Sequence, residues 1–173
     1  MRKLSNVAQD SLYTLFQGYN GHITVPTPPP NTQWHQQWIG PNAKTNNTIL
    51  FKSSCQNGVC NKCLDLAGGS TANGTAIQIW DCNGLENQQW VYDTISQEIR
   101  YLSDSRKCVD VARGSVNNGT RLEIWDCNGS SQQKWAGGGN YQWQIQLQNN
   151  TKCIDLSGGN MSNGTQLQIW DCI

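Results

Sequence analysis

The stretch CLDLAGGSTANGTAIQIWDCNGLENQQW, residues 63–90, decides the fold of this chain. It returns as CVDVARGSVNNGTRLEIWDCNGSSQQKW at residues 108–135. It returns once more, without its last part, as CIDLSGGNMSNGTQLQIWDC at residues 153–172. The cysteines, the Trp before each Asp-Cys pair and the Asn-Gly-Thr tripeptide all recur at intervals of forty-five residues. Self-similarity at a fixed interval of this length indicates a repeat architecture.

Each repeat contains short segments in which apolar residues alternate with polar ones. Cys-Leu-Asp-Leu at residues 63–66 and Ile-Gln-Ile-Trp at residues 77–80 are two examples, and Asn-Gly turns stand between such segments. Alternation with a period of two is typical of half-buried β-strands. No window of useful length has helical periodicity. The sequence therefore predicts an all-β fold with about four short strands in each repeat.

Composition narrows the classes of function. The 173 residues include 12 basic and 12 acidic side chains with no run of either sign. Without a basic patch, neither nucleic acid nor an anionic membrane surface is an expected partner. No apolar segment is long enough to span a bilayer, so we expect no membrane insertion.

The eight cysteines pair according to the repeat, because each strong repeat holds two of them nineteen residues apart. Zinc binding is the competing interpretation, since Cys60 and Cys63 have the spacing of zinc ligands, but the repeat already commits Cys63 to another partner. One disulfide per repeat indicates an oxidising compartment, hence a secreted, extracellular protein. Because the cysteines are committed to disulfides, we expect no metal, and no motif indicates a cofactor. The predicted disulfides are Cys55–Cys60, Cys63–Cys82, Cys108–Cys127 and Cys153–Cys172.

The strand pattern also presents a set of polar side chains in residues 63–90, which belong to the second repeat if a degenerate first repeat before them is counted. Asp65 lies between two leucines and points away from both, while Gln78 shares one strand face with Trp80. Asn87 and Gln88 follow shortly afterwards. A neutral sugar suits this set: a carboxylate accepts hydrogen bonds from two hydroxyls, an amide both donates and accepts, and an indole face stacks on C–H groups.

These motifs, in this order, resemble the R-type lectins, the β-trefoil carbohydrate-binding modules typified by the ricin B chain. The Q-x-W tripeptide that marks this family occurs three times, at Gln36–Trp38, Gln88–Trp90 and Gln133–Trp135. The resemblance is strong over residues 36–173 and weak before them. It implies a six-stranded barrel capped by three hairpins, with one potential sugar pocket per repeat.

The resemblance also implies roles for residues that match the family's positions. An Asp binds sugar hydroxyls, an aromatic residue stacks on the ring, and an Asn or Gln before the closing Trp assists. In the third repeat Glu123 and Gln132 depart from this pattern, so we expect a different specificity or affinity there. The last repeat stops at Ile173, before the Asn or Gln and the closing Trp that would complete the set. The implied carbohydrate-binding residues are Asp65, Gln78, Trp80, Asn87 and Gln88; Asp110, Glu123, Trp125, Gln132 and Gln133; and Asp155, Gln168 and Trp170.

Three other sets of residues recur with the repeat. We expect the Trp of each Q-x-W in the core. The Asp before each second cysteine is expected to bond to local backbone and to have no role in binding: Asp81, Asp126 and Asp171. Three Asn-Gly-Thr tripeptides match both a glycosylation sequon and a hairpin turn, and both interpretations stay open: those at Asn73, Asn118 and Asn163.

A trefoil needs three repeats, and the sequence contains about three and a half. In one arrangement residues 34–173 form the trefoil, permuted so that the strand of Trp38 closes the last repeat. The Pro-rich residues 1–33 are then a degenerate repeat or an N-terminal arm. In the other, the first three repeats form the trefoil and residues 136–173 begin a second one. We favour the first, because an unclosed repeat would expose a sheet edge. Strand exchange between chains, and with it a homo-oligomer, stays open.

The leading functional hypothesis is a multivalent, non-enzymatic lectin for glycans of the galactose or N-acetylgalactosamine type. One alternative is a non-catalytic module that targets xylan or arabinan for a glycoside hydrolase, or the cell-binding part of a toxin. A trefoil protease inhibitor is the third, although it would not need the repeated Asp and Trp. No enzyme is expected, because the two histidines, His22 and His35, lie in the degenerate region and no catalytic motif accompanies them.

Overall fold

The computed structural model describes residues 36–41, 47–137, 144–148 and 151–172. The predicted degenerate repeat or N-terminal arm, residues 1–33, lies outside the described residues. Regular structure in the described part consists of fourteen β-strands and single 3₁₀ turns. No helix in that part could cross a membrane. The all-β prediction is confirmed.

Twelve of the strands form three antiparallel four-stranded sheets, one for each structural unit. The first unit contains β1 (Trp38–Ile39), β2 (Leu50–Phe51), β5 (Lys62–Leu66) and β6 (Ile77–Asp81). Its remaining strands, β3 (Cys55–Gln56) and β4 (Val59–Cys60), form a separate hairpin. The second unit contains β7 (Trp90–Asp93), β8 (Glu98–Tyr101), β9 (Asp104–Val111) and β10 (Leu122–Asp126). The third contains β11 (Trp135–Gly137), β12 (Ile145–Leu147), β13 (Lys152–Leu156) and β14 (Leu167–Asp171).

Each unit begins with the Trp of a Q-x-W tripeptide, and that Trp joins the unit to the one before it. The indole of Trp90 donates to the carbonyl of Leu64 in the first unit at 3.1 Å. The indole of Trp38 donates in the same way to the carbonyl of Ile154 in the third unit, also at 3.1 Å. The N-terminal Q-x-W strand therefore closes the last unit, and the structure has the permuted arrangement.

The core lies where the three sheets meet. Trp38, Trp90 and Trp135 are fully buried there, as expected, together with the inward-facing aliphatic residues of the strands. Alternation explains this, because β6 buries Ile77 and Ile79 and turns the residues between and after them outward. Three indoles of this size dominate the apolar surface removed from water.

All four predicted disulfides are formed. Cys63, Cys108 and Cys153 lie on buried strands, and each is bonded to the cysteine nineteen residues further on. Cys55 and Cys60 pin the inserted β3–β4 hairpin. Cys60 and Cys63 thus belong to different disulfides, which excludes them as a zinc-ligand pair. Each of the three longer loops contributes about 3 kcal/mol by the chain-entropy estimate.

Replacing Trp38 tests the closure of the barrel. Trp38→Ala should lower the free energy of unfolding by about 3–5 kcal/mol, because it removes a fully buried indole. Trp80→Ala is the matched control, since this indole lies on the outer face and its loss should cost about 1 kcal/mol at most. Chemical denaturation of both variants measures the difference. Equal stability of the two would show that the N-terminal strand is not part of the barrel.

Candidate functional site

The first-unit pocket lies on the outer face of strands β5 and β6. Asp65 and Gln78 are directly opposed in the register of these strands. The amide of Gln78 donates to Oδ1 of Asp65 at 2.8 Å. Two residues further along β6, Trp80 points outward with 37% of its surface exposed. The alternation of β6 therefore places an amide and an aromatic ring beside one carboxylate.

Asp65 was expected to be exposed to solvent, but only 2% of its surface is exposed. Oδ2 of Asp65 accepts hydrogen bonds from the amides of Asn87, at 2.8 Å, and Gln88, at 3.0 Å. With Gln78 on the other oxygen, three side-chain amides surround the carboxylate. Burial raises the pKa of Asp65, and the three amide hydrogen bonds oppose that rise. Its partners are side-chain amides rather than the backbone amides of a turn cap.

Gln88 has a different position from the other predicted binding residues. It is fully buried behind Asp65 and donates both to that carboxylate and to the backbone carbonyl of Asp81, at 2.9 Å. Its own oxygen accepts from the backbone N–H of Asn83 at 2.9 Å. Gln133 makes the equivalent bonds in the second unit. Both glutamines are therefore placed to orient the Asp, not to touch a ligand directly.

The third-unit pocket repeats this arrangement with a residue from the other end of the chain. Gln168 donates to Oδ1 of Asp155 at 2.9 Å, and Trp170 is 37% exposed. Gln36 completes the set, donating to Oδ2 of Asp155 at 3.2 Å and to the carbonyl of Asp171 at 2.9 Å. Gln36 was missing from the predicted site. The signal was present in the sequence, since its Q-x-W tripeptide is the one that the permuted arrangement assigns to the last unit.

The second-unit pocket departs from the other two, as expected from Glu123 and Gln132. Glu123 opposes Asp110 in the register but has no amide to donate. The side-chain hydrogen bond that Asp110 accepts within the described part comes from Gln133, at 2.6 Å. Burial raises the pKa of Asp110, and the charge of Glu123 raises it further. A cavity of about 410 Å³ lies in front of these groups and extends to Trp125.

Each exposed indole rests against a turn from another unit. A Cβ atom on Gly164 would lie 3.7 Å from the ring of Trp80, and Gly164 has a φ of +86°. Glycine is favoured there because the backbone is left-handed. Gly74 approaches Trp125 and Gly119 approaches Trp170 in the same way. These glycines belong to the Asn-Gly-Thr tripeptides, so each pocket is completed by the turn of a different unit.

The Asn of the same turn makes a polar clamp between units. The amide of Asn163 donates to the carboxylate of Asp81 at 2.7 Å, and its oxygen accepts from the backbone N–H of Asp81 at 2.9 Å. Lys62 bonds both to Asn163 and to Asp81, each at 2.7 Å. The prediction that Asp81 serves only local backbone was therefore wrong. The alternation of polar and apolar residues identifies which side chains point outward. It does not show which residue of another repeat each of them contacts.

The clamp occurs three times and closes a ring around the molecule. Asn73 of the first unit holds the second, Asn118 of the second holds the third, and Asn163 of the third holds the first. The side-chain amide of the Asn is the donor in every clamp, so each tripeptide forms a turn that links two units. The full sets are Lys62, Asp81 and Asn163; Lys107, Asp126 and Asn73; and Lys152, Asp171 and Asn118.

Comparison with known proteins agrees with this geometry. A family model for the ricin-type beta-trefoil lectin domain matches residues 51–173. The chain belongs to this family. Ricin-type lectin domains bind carbohydrate, and the three pockets of this lectin domain lie where the repeated Asp and Trp come together.

Solved structures share the trefoil. The designed three-fold symmetric protein ThreeFoil is 23% identical with a TM-score of 0.57, covering 65% of this lectin chain and 83% of its own. The C-half of the earthworm R-type lectin, in complex with GalNAc, is 20% identical with a TM-score of 0.54. The match covers 65% of this chain and 82% of the earthworm chain. An exo-β-1,3-galactanase from Clostridium thermocellum is 29% identical with a TM-score of 0.55, covering 64% of this chain. The lectin chain spans 25% of that galactanase chain.

The clamps should make stability depend on pH. Hydrogen bonds from Lys107 and Asn73 lower the pKa of Asp126 in the folded protein. The ionised carboxylate therefore stabilises the fold above the pKa of an unfolded Asp, and this contribution is lost as the pH falls through the lower folded pKa. Asp126→Asn should thus be less stable than the wild type at about pH 7 and equally stable at about pH 2. Denaturant unfolding at both pH values checks this, and an unchanged difference would mean that the charge does not stabilise the clamp.

Proposed function

We propose that this lectin domain is a secreted, non-catalytic protein that binds sugars of the galactose or N-acetylgalactosamine type in three shallow pockets. One observation carries the proposal: the same combination of a buried Asp held by amides and a part-exposed Trp recurs in all three units. The four disulfides support an extracellular location. The galactose-type specificity is supported by the earthworm lectin structure, whose bound sugar is GalNAc.

The first-unit pocket offers the groups that a neutral sugar needs. Oδ1 of Asp65 accepts one amide hydrogen bond, which leaves a lone pair of this oxygen available to a sugar hydroxyl. Asn87 is part-exposed beside it, with its amide nitrogen bonded to Asp65 and to the carbonyl of Leu66. The carbonyl oxygen of Asn87 can accept a second hydroxyl. The indole of Trp80 presents an apolar face to the C–H side of the ring.

Fixed orientation is the main contribution of the buried residues. Gln88 ties the Asp65 carboxylate to the backbone at Asp81, so the acceptor does not have to be ordered when a sugar arrives. Each pocket is open and shallow, and affinities of about millimolar to tens of micromolar are expected for single sugars. Three pockets on one molecule would raise the avidity for clustered glycans.

A second candidate function is the targeting of a plant polysaccharide for a glycoside hydrolase. The specific observation in its favour is the 29% identity to the galactanase, of which the matching part is 25% of the chain. The same pockets would then bind sugar units along a polymer. A glycan array that includes galactosides, xylan and arabinan separates the two functions. Binding to a polysaccharide, with no binding to small galactosides, would favour the targeting module.

The exposed indoles allow the pockets to be counted. Trp80→Ala should abolish binding at the first-unit pocket, weakening it at least about tenfold, while leaving the fold intact because the ring lies on the surface. NMR titration with galactose and lactose measures this, following the side-chain amide signals of Asn87 in the first-unit pocket and Gln168 in the third-unit pocket, which remain when an indole is removed. Trp170→Ala is the matched variant and should silence only the third-unit pocket. A sugar that still binds in the first-unit pocket of Trp80→Ala would refute the role of the ring.

Sugar binding should also weaken in acid. The ionised Asp65 carboxylate accepts hydrogen bonds from sugar hydroxyls, and burial raises its pKa above the ordinary value. Affinity should therefore begin to fall at a higher pH than for an ordinary Asp, and it should be lost as the pH falls through that raised pKa. Titration of the first-unit pocket with galactose from neutral to acidic pH checks the direction. Affinity that stays constant until the protein unfolds would exclude the Asp65 carboxylate as the acceptor.

A further inference from the structure

The rim of the second-unit pocket contains an arginine in an unusual backbone position. Arg113 has a φ of +57°, whereas the first and third units place Gly68 and Gly158 there, both with a φ of +60°. Glycine adopts this conformation without cost, but a residue with a Cβ is strained in it. Strain of this kind tends to lie at functional sites. Only one of the three units has this side chain at its rim.

The charge of Arg113 is free within the described part of the chain, where the side chain forms neither an ion pair nor a hydrogen bond. The neighbouring Arg121 differs in this respect. Its guanidinium lies 3.4 Å from the carboxylate of Glu123, which offsets its charge. Arg121 and Glu123 therefore neutralise each other, and Arg113 stays exposed and unpaired.

Arg113 lines the same cavity as the groups that would hold a sugar. The cavity of about 410 Å³ is bordered by Arg113, Asp110 and Trp125. Asp110 is only 8% exposed and forms the floor, whereas Trp125 is 38% exposed. A ring that rests on Trp125 with its hydroxyls on Asp110 would have its remaining substituents at the rim. The second-unit pocket thus has a positive charge at its rim that the glycine-bearing pockets lack.

We infer that the second-unit pocket selects a sugar that carries an anionic substituent, a carboxylate or a sulfate ester, and that Arg113 is the specificity-determining residue. This inference rests on the proposed function, because Asp110 and Trp125 hold the sugar ring. The guanidinium of Arg113 is suited to the role, since its planar donors match an oxyanion in two places. The first-unit and third-unit pockets take the neutral sugar.

An amino sugar is the competing ligand for this pocket. Asp110 and Glu123 lie side by side, and the charge of Glu123 raises the pKa of Asp110. The ammonium group of an amino sugar could approach these carboxylates. The guanidinium of Arg121, however, is already paired with the carboxylate of Glu123. The unpaired charge at the rim is positive, which favours the anion. The two ligands are separated in the test.

The test is an NMR titration of the full chain at low ionic strength with four sugars: galactose, galacturonic acid, galactose 6-sulfate and galactosamine. The indole signals of Trp80 and Trp125 report the first-unit and second-unit pockets separately. At Trp125 the two acidic sugars should bind about fivefold more tightly than galactose, the size expected for one exposed charge pair. At Trp80 they should show no advantage. Added salt should reduce the preference at Trp125, because it screens the pair.

Two matched variants test Arg113 itself. Arg113→Gly copies the residue of the other units and relieves the left-handed backbone, so the protein should fold and keep its affinity for galactose. Its preference for acidic sugars should disappear. Gly68→Arg makes the reverse exchange in the first unit, where a Cβ would meet nothing within 4 Å. This variant should gain the preference at Trp80.

The outcomes separate the inference from the function on which it rests. Equal affinity for galactose and the acidic sugars at Trp125, or a preference that survives in Arg113→Gly, would overturn the inference and leave the lectin function intact. If galactosamine binds at Trp125 more tightly than the acidic sugars, the inference is overturned, because the carboxylates of Asp110 and Glu123 would then determine the specificity. If neither indole responds to any of the four sugars, the proposed galactose-type function fails together with the inference.

Discussion

The rest of the structure depends on the pair of hydrogen bonds that each Q-x-W tripeptide makes with one short strand. In the first unit the indole of Trp90 bonds to the carbonyl of Leu64, and the amide of Gln88 bonds to the side chain of the next residue, Asp65. The Trp joins two units of the barrel, while the Gln fixes the carboxylate of the pocket. The contact that joins the units and the contact that orients the carboxylate of the candidate pocket therefore involve neighbouring residues on both sides, and the pocket is oriented only when the barrel is closed.

The third unit shows how strictly this constraint holds. Its own repeat ends without a Q-x-W, yet Gln36 bonds to Asp155 across a separation of 119 residues. Trp38 reaches Ile154 in the same way. The beginning and the end of the described chain therefore meet at one pocket. Gln36 donates to Asp155 and to the carbonyl of Asp171, just as Gln88 donates to Asp65 and to the carbonyl of Asp81, so the permuted Gln makes the same two contacts.

The strands and the three repeated disulfides could be predicted from the sequence because they follow from spacing within a repeat, whereas the permuted closure was favoured because an unclosed repeat would expose a sheet edge. Alternation correctly placed Gln78 and Trp80 on one outer face of β6. It could not show that Asp65 is buried under three amides, since two of these come from the turn before Trp90. Nor could it reveal the clamp of Asn163 and Asp81, which are 82 residues apart and belong to different units. Contacts between repeats have no local signature.

The clamps and the Q-x-W contacts both pass from one unit to the next, and in both cases the third unit connects back to the first. Each unit thus donates from its Q-x-W Trp to the unit before it and from its Asn-Gly turn to the unit after it. No unit contains a complete pocket by itself. The contacts are the same at all three junctions, and none of them requires the peptide bond that links one unit to the next. Three separate copies of a single repeat could satisfy every one of these contacts as a ring. The architecture in this sense resembles a cyclic trimer joined into one polypeptide, with each candidate pocket located at what would be a subunit interface.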